Sequence, residues 1–448
     1  MNCAKDVGVC IPEILLPCKK ANLNKWSVVA CDQYTSQPEY WKKVEELVGN
    51  EPSTLHMIFP EVYLEKIDKQ EKINAINNKM KEYFTDDILC NDGSFFVLVD
   101  RATSHTKSRK GLIIAVDLEK YDYNKGSQSL IRATEQTVVD RLPPRIKIRE
   151  NAPVELPHIM ILIDDRQRTV IEPLAEKTSQ FEKIYDFELM MDGGHLKGYK
   201  ISDSGSISGI IDALGKLASP SDFEAKYKAG SDKGVLLFAV GDGNHSLAAA
   251  KGHWENIKKT LPQNEMEDHP ARFALVELVN VHDEGLQFEP IHRVVFNVSP
   301  DDLLKKIQDY YGAKVSIKQV VDVNSLMSEA KELNKLSNRH VIPYVTSEGQ
   351  GIIIVEDPEL TLEVGTLQAY LDNYVNNNPE VKIDYIHGDE TVVSLASKPG
   401  CIGFLLPSMK KEDLFKTVIM EGALPRKTFS MGEAEEKRYY LECRKIIK

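Results

Sequence analysis

The chain has 448 residues, 42% hydrophobic and 28% charged, a length for roughly two or three domains that excludes a lone small binding module and a globally disordered chain. Lys and Arg number 56 against 68 Asp and Glu, a formal net charge of -12. That sign argues against a surface that embraces nucleic acid or anionic lipid, so any anionic ligand requires a local basic pocket.

The first ten residues lack the basic and apolar regions of a signal peptide, and apolar runs such as Val235 to Val240 fall far short of the ~20 residues that span a bilayer. A soluble, unanchored protein is expected. Ser36-Gln-Pro-Glu39 reads as a capping box. The helix after it sets Tyr40, Trp41, Val44, Leu47 and Val48 on one face, and a second helix does the same with Ile73, Ile76, Met80, Tyr83 and Phe84. Phe95 to Val99, Leu112 to Val116, Ile159 to Ile163, Val235 to Val240 and Phe273 to Val279 read as strands. Helical patterns lie between and after them at Ser206 to Leu217, Ser246 to Leu261 and Pro300 to Tyr311, the last with Leu303, Leu304, Ile307 and Tyr310 on one face. The alternation predicts an α/β (mixed α+β) chain, a mixed sheet with helices. A break near Asn297 to Asp301, followed by two short strands and a helix at Leu362 to Val375, divides it into a main α/β domain, 1–298, and a smaller C-terminal α/β unit, 299–448, that closes the site.

Seven cysteines (Cys3, Cys10, Cys18, Cys31, Cys90, Cys401 and Cys443) are odd in number and contain no Cys-x-x-Cys pair. Neither a disulfide framework nor a zinc ribbon is expected, and a reducing cytoplasm fits. His56, His158, His195 and His387 stand apart from any metal-ligand spacing.

The sharpest chemical signal is Val235-Leu-Leu-Phe-Ala-Val-Gly-Asp-Gly-Asn-His-Ser-Leu-Ala-Ala-Ala-Lys251, a buried strand, a turn with two glycines and an Ala-rich helix. Such a turn directs the N–H groups of Asn244, His245 and Ser246 outward at the positive end of a helix dipole, where phosphate is readily bound. Gly241 and Gly243 allow close backbone approach, and Asp242, at the end of a strand, is suited to hold Mg²⁺ or accept a proton. The same residues also suit an ordinary tight turn with Asp as turn former. A second cluster, Arg132 to Glu150, carries Arg132, Arg141, Arg145, Lys147 and Arg149 against Glu135, Asp140 and Glu150. Alternation at 145, 147 and 149 predicts a strand with its charges on one side, either gripping an anion or guarding a sheet edge. Pro290-Ile-His-Arg293 and Pro425-Arg-Lys-Thr428 are smaller basic candidates.

The runs Trp26 to Trp41, Arg132-Ala-Thr-Glu135 with Asp140-Arg141, Gly241-Asp-Gly-Asn-His-Ser246, Pro290-Ile-His-Arg293 and Leu424-Pro-Arg-Lys-Thr-Phe429 together resemble the bacterial and archaeal family called domain of unknown function ten-fifteen. That family's Asp-Gly-His-His-Arg signature is similar to the phosphate turn of the ParB/sulfiredoxin-like superfamily, which includes free-serine kinases using nucleotide or pyrophosphate donors. The resemblance implies a ParB/sulfiredoxin-like core and a phosphate and metal turn at Asp242, Gly243, Asn244 and His245. It further implies Glu135 as general base, with His292, Arg293, Lys427 and Thr428 as anion-binding elements. The chain departs from the signature at Asn244, in place of a histidine, and at Ser246, in place of an arginine. The second change removes a charge that would face phosphate, which Arg145, Arg149 or Lys251 would have to replace.

The expectation is a cytoplasmic phosphotransferase acting on the hydroxyl of a small metabolite, free L-serine first. Its donor would be ATP, ADP or pyrophosphate, with Asp242 holding Mg²⁺ and Arg132, Arg141 and Arg293 neutralising developing charge. A non-catalytic sensor of a phosphorylated metabolite would keep the pocket without the base. A ParB-like nucleotide- or DNA-binding protein would want the basic face that the net charge argues against.

Overall fold

The computed structural model describes residues 2–18, 21–64, 69–137, 139, 142–230, 232–336 and 338–448. The chain divides into two units, Met1–Gln287 with Met431–Lys448, and Phe288–Ser430. The expected boundary at 298/299 differs from this division because the strand His292–Phe296 hydrogen-bonds into the sheet of the second unit, and the C-terminal 18 residues return to the first.

In the first unit, helices α1 (Pro38–Val48) and α2 (Lys69–Thr85) bury Tyr40, Trp41, Val44 and Val48, and Ile73, Ile76, Met80 and Tyr83. Leu47 lies outside the buried stripe, 48% exposed. The cap of α1 is Gln37 without a side-chain bond, and Pro38 holds the first helical position. A proline there needs no N–H partner and its fixed φ starts the turn, so the expected Ser36 capping box is not used.

The sheet is built from β1 (Phe96–Ala102), β2 (Arg109–Asp117), β3 (Ile131–Ala133), β4 (Met160–Ile163), β5 (Glu182–Glu188), β6 (His195–Ile201), β7 (Phe238–Asp242) and β8 (Phe273–Asn280). Their order is β5-β6-β1-β2-β8-β4-β7-β3. The pairs β8–β4 and β7–β3 are parallel and the others antiparallel, a mixed sheet as expected. Strand alternation sends Val97, Val99 and Ile113 into one core, against α1 and α2, and Phe96, Leu98, Leu112 and Ile114 into the other.

Two more helices frame the site. Residues Leu142–Arg149 form α3, so the strand expected at 145–149 is corrected. Pro143 and Pro144 fall in its first turn, where missing N–H groups cost nothing. Ile146 reaches Gly252 of α4 (Asn244–Lys258), where an added Cβ would come within 2.8 Å of its Cδ1. Packing on α4 thus overrides the period-two pattern.

Four cysteines pair, Cys3–Cys10 and Cys18–Cys90, which corrects the expectation of no disulfides. The short pair Cys3–Ala4/Val9–Cys10 and the ladder Glu13–Pro17/Leu89–Ser94 bring them together by strand register, which residue spacing does not reveal. The cytoplasmic expectation loses the cysteine argument that supported it. Among the described residues, no helix is long and apolar enough to cross a membrane.

The second unit is a six-stranded antiparallel sheet with helices. Its helix Pro300–Tyr311 has the expected bounds and buries Leu303, Leu304 and Ile307, while Tyr310 is exposed. The helix expected at Leu362 to Val375 spans Glu363–Asn377.

Candidate functional site

The strand, turn and helix of the Gly-Asp-Gly motif are β7 and α4. Gly243 caps α4 at φ 77°, and no side chain caps that helix start. An L side chain at 243 would be strained by that φ, and its Cβ would lie 3.0 Å from the Ile159 Cα. The sharp turn therefore rests on glycine. The Gly243 N–H donates to Asp242 Oδ1 at 2.9 Å. Asn244 does not face outward: its Oδ1 accepts from the Thr134 N–H at 3.2 Å, tying the turn to the end of β3. Thr134 Oγ1 also donates to the Val240 carbonyl at 2.6 Å. Glu135, the next residue, is half-buried, and His245 is half-buried in the first turn of α4.

Three distant segments complete the cleft. Ser246 Oγ lies 3.1 Å from His158 Nε2, and Tyr440 OH lies 2.8 Å from His158 Nδ1. Asp32 Oδ2 is 3.5 Å from His158 Nε2. Lys437 Nζ is 3.3 Å from Asp242 Oδ2. Burial alone would push the His158 pKa down, but the Asp32 carboxylate beside it raises it above the usual value. Burial likewise works against charge on Asp32, yet His158 holds its carboxyl well below the usual range. The neighbouring Cys31 thiol, deprived of solvent and next to Asp32, is pushed up to about 12.

Alongside Ser246 and His158 lies a cavity of ≈ 120 Å³, walled by apolar groups including Met57, Phe59, Met80 and Ile148, with Arg145 and Arg149 also on its lining. Arg145 pairs with Glu61, and Arg149 donates to Glu155 at 2.7 Å. Lys251 pairs with Glu255 at 2.8 Å.

Other expected site residues have partners of their own. Arg132 is buried in β3, and its guanidinium donates to the carbonyls of Ser129, at 2.8 Å, and Gly234. Because Gly234 precedes β7 while Asp242 ends it, Arg132 is directed to the opposite end of the strand from the turn, which corrects its expected place on phosphate. Burial draws its pKa down to about 10. Asp140 and Arg141 lie outside the described residues. His292, Arg293 and Lys427 belong to the second unit. There His292 pairs with Asp389 at 2.8 Å and accepts from the Leu406 N–H. The fully buried Arg293 donates to Gln368 and to the carbonyls of Ile291 and Arg426, and Lys427 is exposed.

Magnesium was expected on Asp242. Both oxygens of that carboxylate are engaged, one by the Gly243 N–H and one by the Lys437 ammonium. A resident divalent ion would have to displace a cation already in place, so the donor set does not fit one. Among the described residues no group of three or more His, Cys, Asp or Glu side chains is arranged to hold a metal.

The profile of the family described as "Protein of unknown function (DUF1015)" matches residues 15–374. The chain belongs to that family. Of the cleft residues, Lys437 and Tyr440 lie beyond the matched span. No curated protein matches the chain. Similar solved structures include a conserved hypothetical protein from Pyrococcus furiosus, with 11% identity, TM-score 0.34, and coverage of 73% of this chain and 90% of that one. Another is a free serine kinase in complex with AMP, with 10% identity, TM-score 0.38, and coverage of 75% and 92%. A third is SbnI from Staphylococcus aureus with a C-terminal truncation, at 8% identity, TM-score 0.35, and coverage of 71% and 83%.

Asp32, His158, Lys437 and Tyr440 were not singled out from the sequence. Asp32 stood inside the matched run Trp26 to Trp41, a usable signal. His158 and Lys437 offered none, since their meaning depends on contacts hundreds of residues away.

Proposed function

We propose that this protein transfers a phosphoryl group to the hydroxyl of a small metabolite, with free L-serine the first acceptor to test and ATP, ADP or pyrophosphate the donors. The observation that carries this reading is the start of α4. A 15-residue helix opens there without a side-chain cap, beside Lys437 and His158 and the carboxylates Asp32 and Asp242. Such a helix start attracts phosphate through its dipole and backbone N–H groups.

Phosphoryl transfer asks a protein for positioning and charge stabilisation more than for covalent chemistry. In this reading residues 243–246 and Lys437 grip the transferred phosphate, His158, paired with Asp32, orients the acceptor hydroxyl, and Glu135 receives its proton. Glu135 is the next residue in the chain after Thr134, which is bonded to the turn. No step is assigned to a resident metal ion. The cavity beside Ser246 is smaller than the ~150 Å³ apolar cavity that takes up benzene, which suits a small acceptor and not a nucleoside.

Phosphorus NMR of the purified protein with Mg²⁺, serine and each donor in turn tests the reading. A phosphomonoester signal that requires protein and acceptor is expected. Glu135→Gln then tests the base, whose removal lowers the rate by roughly 10²–10⁴-fold. Donor binding without turnover over a panel of small alcohols overturns the transferase and leaves a sensor of phosphorylated metabolites.

A further inference from the structure

Two carboxylates, Asp32 and Asp242, both act on His158 with side chains 28% and 26% exposed, and like charges in such surroundings require compensation. Lys437 approaches Asp242 at 3.3 Å with its side chain only 12% exposed. It also acts on Asp32, helping to hold that carboxylate ionised.

The backbone that delivers this ammonium is fastened on both sides. The Lys437 carbonyl accepts from Arg101 at 2.6 Å, and the Arg438 carbonyl accepts from the Ala30 N–H at 3.0 Å. The Tyr440 N–H donates to the Val28 carbonyl at 2.9 Å, so this returning segment is paired with the one that carries Asp32. The Arg438 side chain is locked between Glu277 and Glu442. Lys437 is thus a cation held at a fixed root, carried on a four-carbon stem whose ammonium has rotatable donors.

We infer that Lys437 is the resident cation of this cleft: it holds Asp242 where a divalent metal ion would otherwise bind, and it transfers its ammonium to a phosphate oxygen when a phosphate-bearing ligand docks at the start of α4. The first half stands on the ion pair alone. The second half rests on the phosphate-binding reading above.

Both halves are testable without turnover, on the full-length protein. Mn²⁺ binding, followed by electron paramagnetic resonance in the absence of phosphate, reads the first. Lys437→Met is expected to bind one Mn²⁺ roughly tenfold or more tightly than wild type, because the Asp242 carboxylate has lost its ammonium partner. Lys437→Arg stays at the wild-type level, and Lys437→Met with Asp242→Asn loses the gain. Lys437→Gln repeats the measurement should the methionine variant fail to fold. Wild type binding Mn²⁺ as tightly as Lys437→Met overturns the first half.

Calorimetric titration with inorganic pyrophosphate reads the second. A loss of roughly tenfold or more is expected in Lys437→Met, with Lys437→Arg retaining most of the affinity. Equal affinity in wild type and Lys437→Met overturns the transfer of the ammonium. Absence of pyrophosphate binding in wild type removes the phosphate reading and the second half with it, while the Mn²⁺ comparison still decides the first.

Discussion

Replacing Arg438 by methionine tests whether the returning C-terminal segment is held by buried charge. The Arg438 side chain is 5% exposed, and its two partners, Glu277 and Glu442, are 3% and 1% exposed. Methionine fills much of the same volume but leaves two buried carboxylates without their shared cation. Breaking a buried pair by removing one partner costs about 3–5 kcal/mol. Residual help comes from Arg101 and Arg109, which act on Glu277, and from Tyr185, whose OH donates to Glu442 at 2.5 Å. The loss should therefore lie toward the lower end of that range, about 3 kcal/mol, read as a shift in the urea midpoint at unchanged slope.

The pH dependence supplies the sign. In wild type, burial alone would raise the Glu277 pKa, but Arg438 brings it below the usual value, so its contribution is present above the unfolded pKa and lost as pH falls through the folded one. In Arg438→Met the Glu277 carboxyl loses its largest lowering partner and burial prevails, so the variant gains stability as pH falls. Adding Glu277→Gln and Glu442→Gln to Arg438→Met should restore part of the loss and flatten the slope. A loss under about 1 kcal/mol, or a variant with the wild-type pH slope, would refute the account of this network as the anchor of the segment.

Gly243→Ala should cost about 1–2 kcal/mol from the left-handed backbone alone, more if Ile159 cannot yield, and should weaken pyrophosphate binding; chemical denaturation and calorimetry check both. Asp164 accepts from Tyr227 at 2.5 Å and pairs with His282 at 2.6 Å and Lys226 at 2.9 Å. Burial opposes its charge, but these partners bring its pKa down from 3.8 to about 2. About 2 kcal/mol of stability present at neutral pH should be lost as pH falls through that interval, and the loss should vanish in Asp164→Asn, by comparison of urea midpoints across pH.

Much of what near neighbours encode was legible in the chain. The short β-branched and aromatic runs became the strands that split Val97 and Val99 from Phe96 and Leu98, and the 3.6-residue stripe of Tyr40, Trp41, Val44 and Val48 became a core-facing helix. The Gly-Asp-Gly turn was legible because its strand, its left-handed glycine and its helix are consecutive. Tertiary structure decided the rest. Arg145 to Arg149 alternates in a way that satisfies strand and helix alike, and only the facing Gly252 of α4 selects the helix. Arg132 looked like a ligand for phosphate until the parallel pairing of β3 with β7 aimed it at Gly234. Asp32, His158, Asp242 and Lys437 share a cleft because the C-terminal residues fold back along Val28 to Ala30. Hydrogen bonding between segments some 400 residues apart has no periodic trace in either segment, so the charge balance of the cleft exists only in the folded chain.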